Sequence, residues 1–305
     1  MILKPPFPYF GGKRWLAPQV WRWLGADVKR YIEPFAGGLG VLLARPGGPR
    51  PRWQEVINDE YAHIANVWRA VKYHGEEVWA NCQDPLHEAD LHGRTQRLIA
   101  VEASYRDAMF ADPTWCDPQL AGWWIWAQSA HLAQSGTRRG DKSKPCATPG
   151  GVLSIDFAKE TLDKISARMQ SVQILCGDFG RCLTPSYLLA EKQTMGVYLD
   201  PPYALGDDRV YGTIDNVSVW SRTVEWVLAN VNNPRLRIVL SGYRGSPGDE
   251  ELTAAGMVRH DFAAPGGHGS KGQDNKNNEL EACWISKACI VEASQLGLFD
   301  LEGDC

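Results

Sequence analysis

The tetrapeptide Asp200-Pro201-Pro202-Tyr203 has the clearest chemical potential in this sequence. It directly follows the apolar residues 195 to 199, a run that predicts a buried strand. In a doubly wound α/β sheet, the polar groups after a strand emerge at the carboxyl edge, where such folds bind ligands. A carboxylate and an aromatic ring at that edge therefore mark a candidate ligand-binding or catalytic site.

A second feature is the glycine-rich segment EPFAGGLG at residues 33 to 40, which follows a short strand predicted at Tyr31 and Ile32. Glycines let the backbone turn sharply from a strand into a helix, here predicted near Gly40 to Leu42, and pass close to a ligand. A purely structural turn is the alternative. The chain has neither G-x-G-x-x-G spacing here nor a G-x-x-x-x-G-K-[ST] motif, which argues against NAD binding and a phosphate loop.

Asp59 ends a second predicted strand, residues 55 to 59, about twenty residues beyond the glycine turn. A carboxylate in this place can accept hydrogen bonds from both hydroxyls of a ribose. The alternative role for Asp59 is to cap the helix predicted over residues 61 to 72.

The elements that must position these residues predict an α/β fold with a doubly wound parallel sheet and helices on both faces. Helical stretches at residues 94 to 110 and 120 to 133 interrupt the β-α alternation, so we predict an inserted, mainly helical module over residues 84 to 150. The alternation resumes with a helix at 157–169, strands at 172–176 and 195–199, a helix at 221–231, a strand at 236–241 and a closing strand pair at 257–263 and 280–286.

Composition leaves several function classes open. The chain has 305 residues, 44% of them hydrophobic, and a formal net charge of −4 with a pI near 6.0. This charge gives no global signal for nucleic acid, so any such contact must come from local basic patches. The sequence shows no signal peptide and no apolar run that spans a bilayer, so we expect a cytoplasmic protein.

Eight cysteines include no C-x-x-C pair, and we expect reduced thiols and no metal. A zinc site from Cys176, Cys182 and His131 is the alternative, but these residues lack ligand spacing. Three tryptophans lie within residues 122 to 126, where helix packing is the first interpretation and aromatic contact with DNA the second.

Together, these motifs resemble the Dam-type family of N6-adenine DNA methyltransferases, the D12 class and alpha group, found in bacteria and phages and in restriction-modification systems. The resemblance runs through most of the chain. The family's amino-terminal element matches residues 7 to 13 (FPYFGGK), its glycine motif matches 33 to 40, its ribose-binding acid falls on Asp59, its adenine-edge position matches 176 to 179 (CGDF), and its catalytic D-P-P-Y matches 200 to 203.

The resemblance implies a Rossmann-like class I methyltransferase sheet, with a catalytic domain formed by residues 1–83 and 151–305 and a target-recognition module at 84–150. It also implies transfer of a methyl group from S-adenosylmethionine to N6 of an adenine rotated out of double-stranded DNA. We expect a monomer that needs no metal. The insert does not follow the Dam pattern residue for residue, so GATC specificity is not carried over.

The family's mechanism assigns the catalytic residues. The Asp200 carboxylate and the Pro201 carbonyl accept the two N6 hydrogens, Pro202 stiffens the turn, and Tyr203 stacks on the base. These acceptors localise a nitrogen lone pair that is otherwise delocalised into the adenine ring.

The family also assigns the cofactor contacts. The methionine part falls to Tyr9, Gly11, Gly12 and Lys13, and the adenine to Asp178 and Phe179, with Asp59 on the ribose. The turn beneath the cofactor backbone comprises Glu33, Pro34, Phe35, Gly37, Gly38 and Gly40.

Two basic clusters are candidates for DNA contact. The first comprises Arg138, Arg139, Lys142 and Lys144 in the polar loop of the insert. The second comprises Lys271 and Lys276, with His268, in the glycine-rich loop at residues 265 to 278. A solvated or mobile surface loop is the alternative in both places.

Three other functions stay open from the sequence. An N4-cytosine DNA methyltransferase uses the same geometry, although Asp200 favours adenine because cytosine enzymes more often carry Ser there. An RNA N6-adenine methyltransferase shares the D-P-P-Y chemistry but starts differently from the element at residues 9 to 13. A non-catalytic DNA-binding or DNA-mimicking relative is the third alternative, and the intact residues 200 to 203 argue against it.

Overall fold

The structure is a computed structural model that describes residues 3–9, 11–50, 53–85, 87–130, 159–188, 193–203, 216–262 and 281–290. The strands are β1 (Arg30–Glu33), β2 (Gln54–Asp59), β3 (Val172–Cys176), β4 (Met195–Leu199), β5 (Leu236–Tyr243), β6 (Val258–Asp261) and β7 (Glu281–Ile285). The helices are α1 (Ala17–Leu24), α2 (Ala62–Ala80), α3 (Glu88–Ala111), α4 (Pro118–Ala130), α5 (Lys159–Met169), α6 (Pro185–Leu188), α7 (Asn216–Asn230) and α8 (Asp249–Ala254), with 3₁₀ turns at Leu42–Ala44 and Phe179–Cys182.

The strands form one seven-stranded sheet in the order β3-β2-β1-β4-β5-β7-β6. The first five strands of this order run parallel, whereas β7 is antiparallel to both β5 and β6. The predicted α/β fold with a Rossmann-like methyltransferase sheet is therefore confirmed. The closing strand pair makes the sheet mixed instead of fully parallel.

Helices cover both faces of the sheet because side chains alternate along each strand. In β1, Tyr31 packs into a core cluster with α1 to α5, while the next residue, Ile32, packs into a second cluster with α7 and α8. Tyr31 and Ile32 are both fully buried. Burial on both faces also explains why β4, the neighbour of β1, is an uninterrupted run of buried residues without a charged side chain (MGVYL).

The strand order reverses between β1 and β4. Chain order runs outward from β1 through β2 to β3 on one side, and from β4 to β5 on the other. Crossover connections on opposite faces leave a crevice at such a switch point, at the carboxyl ends of the strands. Glu33 ends β1 and Asp200 follows β4, so both residues lie at this crevice.

One predicted element is wrong. The helix expected to begin near Gly40 to Leu42 is only a 3₁₀ turn over Leu42–Ala44. Arg45, with extended backbone (φ −56°, ψ 124°), follows the turn, and Pro46 comes next. Because the residue before a proline disfavours the helical region, the helix cannot continue.

The first two helices of the predicted insert, α3 and α4, share the main core with α2. Trp124 and Trp126 are at most 1% exposed, and Leu98 and Tyr105 pack in the same cluster as α2. The packing interpretation of these two tryptophans is therefore confirmed, and Trp123 is partly buried beside them. The domain boundary at residue 84 stays a prediction.

A buried ion-pair group ties the loop after the glycine turn to the sheet. Glu55 of β2 accepts a hydrogen bond from Arg45 at 2.8 Å and two from Arg168 of α5 at 2.6 and 2.7 Å. All three side chains are at most 6% exposed. Arg45 also stacks on Trp53, with its guanidinium carbon 3.7 Å from the ring centroid. The pairing fixes the chain segment that leads from the cavity back to β2.

We predict that Glu55→Gln lowers the free energy of unfolding by about 3 to 5 kcal/mol, because it leaves two buried guanidinium groups without a counter-charge. Urea unfolding followed by circular dichroism measures the loss. The matched control is Glu160→Gln, which breaks an exposed pair with Lys164 on α5 and is expected to change nothing measurable. Equal stability of the two variants would show that the buried group does not hold the fold.

Candidate active site

An open cavity of about 790 Å³ lies at the switch point. Its wall combines the amino-terminal segment, the turn after β1, the end of β2, the start of the 3₁₀ turn after β3, the end of β4 and α7. The lining residues are Tyr9, Gly11, Gly12, Lys13, Glu33, Pro34, Phe35, Ala36, Gly37, Gly38, Leu39, Gly40, Val41, Asn58, Asp59, Glu60, Phe179, Tyr198, Asp200, Pro202 and Val219. The structure thus brings together every residue predicted to bind the cofactor except Asp178, although cofactor binding itself stays a prediction.

The glycine turn is shaped by close backbone contacts. Gly37 has a positive φ of 43°, and a Cβ atom there would lie 2.7 Å from the ring of Tyr9. A Cβ atom on Gly40 would lie 2.9 Å from the backbone nitrogen of Arg14. Larger residues at these two positions would push the amino-terminal segment off the turn. The glycines therefore let Tyr9 and residues 11 to 13 form one wall of the cavity.

Asp59 holds the glycine turn against the end of β2. Its Oδ2 accepts a hydrogen bond from the Gly37 amide at 2.9 Å, and its Oδ1 accepts one from the Tyr61 amide at 2.9 Å. The N-cap residue of α2 is Tyr61, so Asp59 precedes the cap. The carboxylate lies in the cavity wall, where a ribose contact stays a prediction.

Asn58, which sequence reasoning did not single out, lies in the same wall. Its amide nitrogen donates to the carbonyls of Pro34 at 3.2 Å and Gly177 at 2.8 Å. This buried side chain therefore ties the turns after β1 and β3 together. Its position in the predicted strand, directly before Asp59, was the available signal.

Glu33 is a buried acid at the floor of the cavity, 3% exposed. Burial raises the pKa of Glu33 to about 8, although the Tyr31 hydroxyl, which donates to Oε2 at 2.8 Å, opposes the shift. The Leu42 amide also donates to Oε2, at 3.2 Å. At neutral pH the group is therefore mostly a neutral carboxylic acid, ready to ionise when a positive charge arrives.

Asp200 lies where β4 opens onto the cavity. Its Oδ1 accepts a hydrogen bond from the Tyr203 hydroxyl at 3.1 Å and faces the Lys13 ammonium at 3.5 Å. No described residue donates a hydrogen bond to Oδ2 of Asp200. Both protein donors thus lie on one carboxylate oxygen, and the other oxygen is available to an incoming amino group.

Lys13 is 6% exposed and lies beside Asp200, so it is not a solvated surface charge. Its Nζ donates to the Gly11 carbonyl at 2.9 Å and lies 3.7 Å from Oε1 of Glu281, the first residue of β7. Burial by itself lowers the pKa of Lys13, but the carboxylates of Asp200 and Glu281 outweigh it and raise the pKa above its usual value. The ammonium is therefore charged at neutral pH.

Tyr203 is 8% exposed, and its hydroxyl lies 3.1 Å from Asp200 Oδ1 and 3.2 Å from Glu281 Oε2, so its one hydrogen is shared between the two acids. The Lys13 ammonium lies 4.9 Å from the ring centroid, and the Tyr243 ring contacts it edge-on at 4.6 Å. Stacking of Tyr203 on a substrate base stays a prediction, and it requires part of this packing to open.

Two phenylalanines form an aromatic wall of the cavity. Phe35 and Phe179 stack with their ring centroids 5.2 Å apart. Such a wall suits a planar heteroaromatic ligand, because stacking contacts tolerate any flat π system.

Asp178 does not line the cavity; it caps the following 3₁₀ turn through the Gly180 amide, at 2.9 Å, and pairs with Arg222 of α7 at 2.9 Å. Burial raises the pKa of Asp178, but the hydrogen bonds from Arg222 and Gly180 outweigh this and hold the pKa below its usual value.

Arg222, which sequence reasoning missed, also lies over Phe179, 4.9 Å from the ring centroid. Val219, which lines the cavity, lies one turn before Arg222 on α7 but outside the helix predicted over residues 221 to 231. The sequence analysis therefore held no signal for Arg222.

The residues predicted to contact DNA lie outside the described residues: Arg138, Arg139, Lys142, Lys144, His268, Lys271 and Lys276. His131 of the alternative zinc site does so too. Over the part of the chain that the structure describes, no group of three or more His, Cys, Asp or Glu side chains is arranged to hold a metal ion. Within the same part, no helix is long and apolar enough to cross a membrane.

Comparison with known proteins identifies the family. A family model described as D12 class N6 adenine-specific DNA methyltransferase matches residues 9–223, from the first aromatic residue of the cavity wall into α7. The chain is also 26% identical, over 214 residues, to the type II methyltransferase M.MjaIII of Methanocaldococcus jannaschii, a match that covers 67% of this chain and 70% of that protein. The family match covers well over half of the chain and includes the glycine turn, Asp59 and the D-P-P-Y tetrapeptide. The chain is therefore a methyltransferase enzyme of the D12 class N6 adenine-specific DNA methyltransferase family.

Proposed function

We propose that this enzyme is a site-specific DNA methyltransferase that transfers the methyl group of S-adenosylmethionine to N6 of an adenine rotated out of double-stranded DNA. The observation that carries the proposal is the position of Asp200. Its carboxylate opens onto the cavity beneath the glycine turn, with one oxygen held by Tyr203 and Lys13 and the other available. A methyl donor in this cavity and an amino group at Asp200 would be adjacent.

The chemistry of the cavity wall fits S-adenosylmethionine. Glu33 provides an acid for a ligand that carries positive charge, Asp59 provides a carboxylate for ribose hydroxyls, and the Phe35–Phe179 pair provides a wall for adenine. When bound, this cofactor supplies an electrophilic methyl group on a sulfonium sulfur.

The residues at the end of β4 would then act on the substrate amino group. Asp200 Oδ2 and the Pro201 carbonyl accept its two hydrogens, which localises the lone pair on the attacking nitrogen. Methyl transfer would form the N–C bond while the bond between the methyl carbon and the sulfonium sulfur breaks, which leaves the cofactor as a neutral thioether. The nitrogen would gain positive charge, and Asp200 would stabilise that charge and take one proton. These acceptors bind the transition state more tightly than the ground state, which is the requirement for acceleration.

Access to this pocket requires the adenine to leave the helix stack, at a cost of a few kcal/mol. We propose the two basic clusters, Arg138, Arg139, Lys142 and Lys144, and Lys271 and Lys276, as the phosphate and base-edge contacts that offset this cost. The chain as a whole carries a net charge of −4, so a surface that binds DNA phosphates must be a local cluster of basic residues.

The direct test uses tritiated S-adenosylmethionine and unmethylated duplex DNA. After digestion to nucleosides, we expect the label in N6-methyldeoxyadenosine, and we expect Asp200→Ala to lower the rate by about 10²-fold or more, since a preorganised transition-state contact is lost. Calorimetry of cofactor binding to the same variant serves as the control for folding.

Other outcomes would redirect the assignment. Label in N4-methyldeoxycytidine would make the enzyme a cytosine methyltransferase. Label found only in an RNA substrate would make it an RNA enzyme, and cofactor binding without any transfer would indicate a non-catalytic relative.

A second prediction concerns protons released on cofactor binding. Because the pKa of Glu33 is about 8 in the free protein, the acid is mostly protonated at pH 7. A cationic ligand near it favours the carboxylate and lowers this pKa, so binding releases a proton. Titration calorimetry at pH 7, in buffers of different ionisation enthalpy, measures the number released.

Glu33→Gln is expected to abolish the release, whereas Glu250→Gln, a substitution on the exposed face of α8, leaves it unchanged. Proton uptake, or release that persists in Glu33→Gln, would place the positive part of the cofactor away from Glu33.

A further inference from the structure

Glu281 contacts the catalytic residues from across the sheet. It is the first residue of β7, its side chain is 14% exposed, and it does not line the cavity. Its Oε2 accepts a hydrogen bond from the Tyr203 hydroxyl at 3.2 Å, and its Oε1 lies 3.7 Å from the Lys13 ammonium. The residue lies outside the segment that matches the family model.

Lys13, Tyr203 and the two carboxylates form a closed ring of contacts. The ammonium faces Asp200 at 3.5 Å and Glu281 at 3.7 Å, and the tyrosine hydroxyl has the same two partners at 3.1 and 3.2 Å. The distances to the two acids are nearly equal. Each donor is therefore shared between Asp200 and Glu281 and not committed to Asp200 alone.

We propose that Glu281 is a positioning residue for methyl transfer: by sharing the Lys13 ammonium and the Tyr203 hydroxyl with Asp200, it keeps the Asp200 carboxylate a strong acceptor for the substrate amino group. The proposal rests on the proposed function of Asp200. It assigns the strand β7 a part in the active site that none of the sequence motifs indicated.

The reason is electrostatic. An acceptor weakens when its negative charge is already neutralised by a cation and a hydrogen-bond donor. Without Glu281, Asp200 alone would face the positive charge of Lys13. It would also be the acceptor for the one hydrogen of the Tyr203 hydroxyl. With Glu281 present, two negative charges share one ammonium and one hydroxyl, and Asp200 keeps more of its basicity.

The other ionisable groups around the ring do not alter this balance at neutral pH. They are Glu33 from β1, Tyr198 from β4, Tyr243 from β5 and Cys283 from β7. Burial raises the pKa of each, to about 8 for Glu33 and about 12 for Cys283, so all four are mostly neutral at pH 7. Burial also raises the pKa values of Asp200 and Glu281, with Lys13 opposing the shift in both.

The test is a carbon-13 NMR titration of the aspartate side-chain carboxyls in the full chain, with Asp200→Asn used to assign the Asp200 signal. We expect the midpoint of Asp200 to move to lower pH in Glu281→Gln, because one like charge is lost and Lys13 now pairs with Asp200 alone. A midpoint that stays in place or rises overturns the inference. The NMR titration does not depend on methyl transfer, so a result against the role of Glu281 can be distinguished from a failure of the proposed function.

Kinetics provide the second readout. We expect Glu281→Gln to lower kcat about tenfold, which lies within the range of couplings between residues of one hydrogen-bond network. The acid limb of its pH profile should shift to lower pH, with S-adenosylmethionine affinity unchanged and kcat partly restored in Glu281→Asp. The matched control is Glu251→Gln, on the exposed face of α8. An unchanged kcat, or a loss with an unmoved pH profile, would show that Glu281 does not act through Asp200.

Discussion

Three acids lie at the carboxyl edge of the sheet: Glu33 is buried, and Asp200 and Glu281 are partly buried. The ammonium of Lys13 is the cation placed among them. Burying like charges is costly unless some are neutralised or paired. The protein does both: Glu33 stays mostly protonated, while Asp200 and Glu281 share Lys13 and the Tyr203 hydroxyl. The amino-terminal segment must therefore pack over the sheet for the active site to exist, because it carries the cation.

That packing depends on the topology of the sheet. The reversal of strand order between β1 and β4 brings the glycine turn and the D-P-P-Y tetrapeptide to one crevice, although they are more than 150 residues apart in the sequence. The glycines at positions 37 and 40 then let the amino-terminal segment approach the turn within van der Waals distance. The cofactor wall and the catalytic acid are thus consequences of the same topological feature.

Local patterns in the sequence predicted the strands well. The clearest case is β4, a short, fully buried apolar run followed directly by Asp200. The short helix α1 was not predicted, although its buried residues Ala17, Val20, Trp21 and Leu24 follow helical spacing and Pro18 lies in its first turn. Helix α8 was not predicted because it has only six residues. The cavity wall was predictable because its motifs are contiguous. Arg222 and Glu281 were not, because their partners Asp178 and Tyr203 are 44 and 78 residues away and meet them only in the folded chain.

A crystal structure with sinefungin, a stable analogue of S-adenosylmethionine, tests the central claim most directly: that the cavity holds the methyl donor next to Asp200. The account predicts the ribose hydroxyls on Asp59, the adenine against Phe35 and Phe179, and the amine that replaces the methyl group directed toward Asp200. Sinefungin bound outside this cavity, or bound within it with that amine directed away from Asp200, would contradict the account.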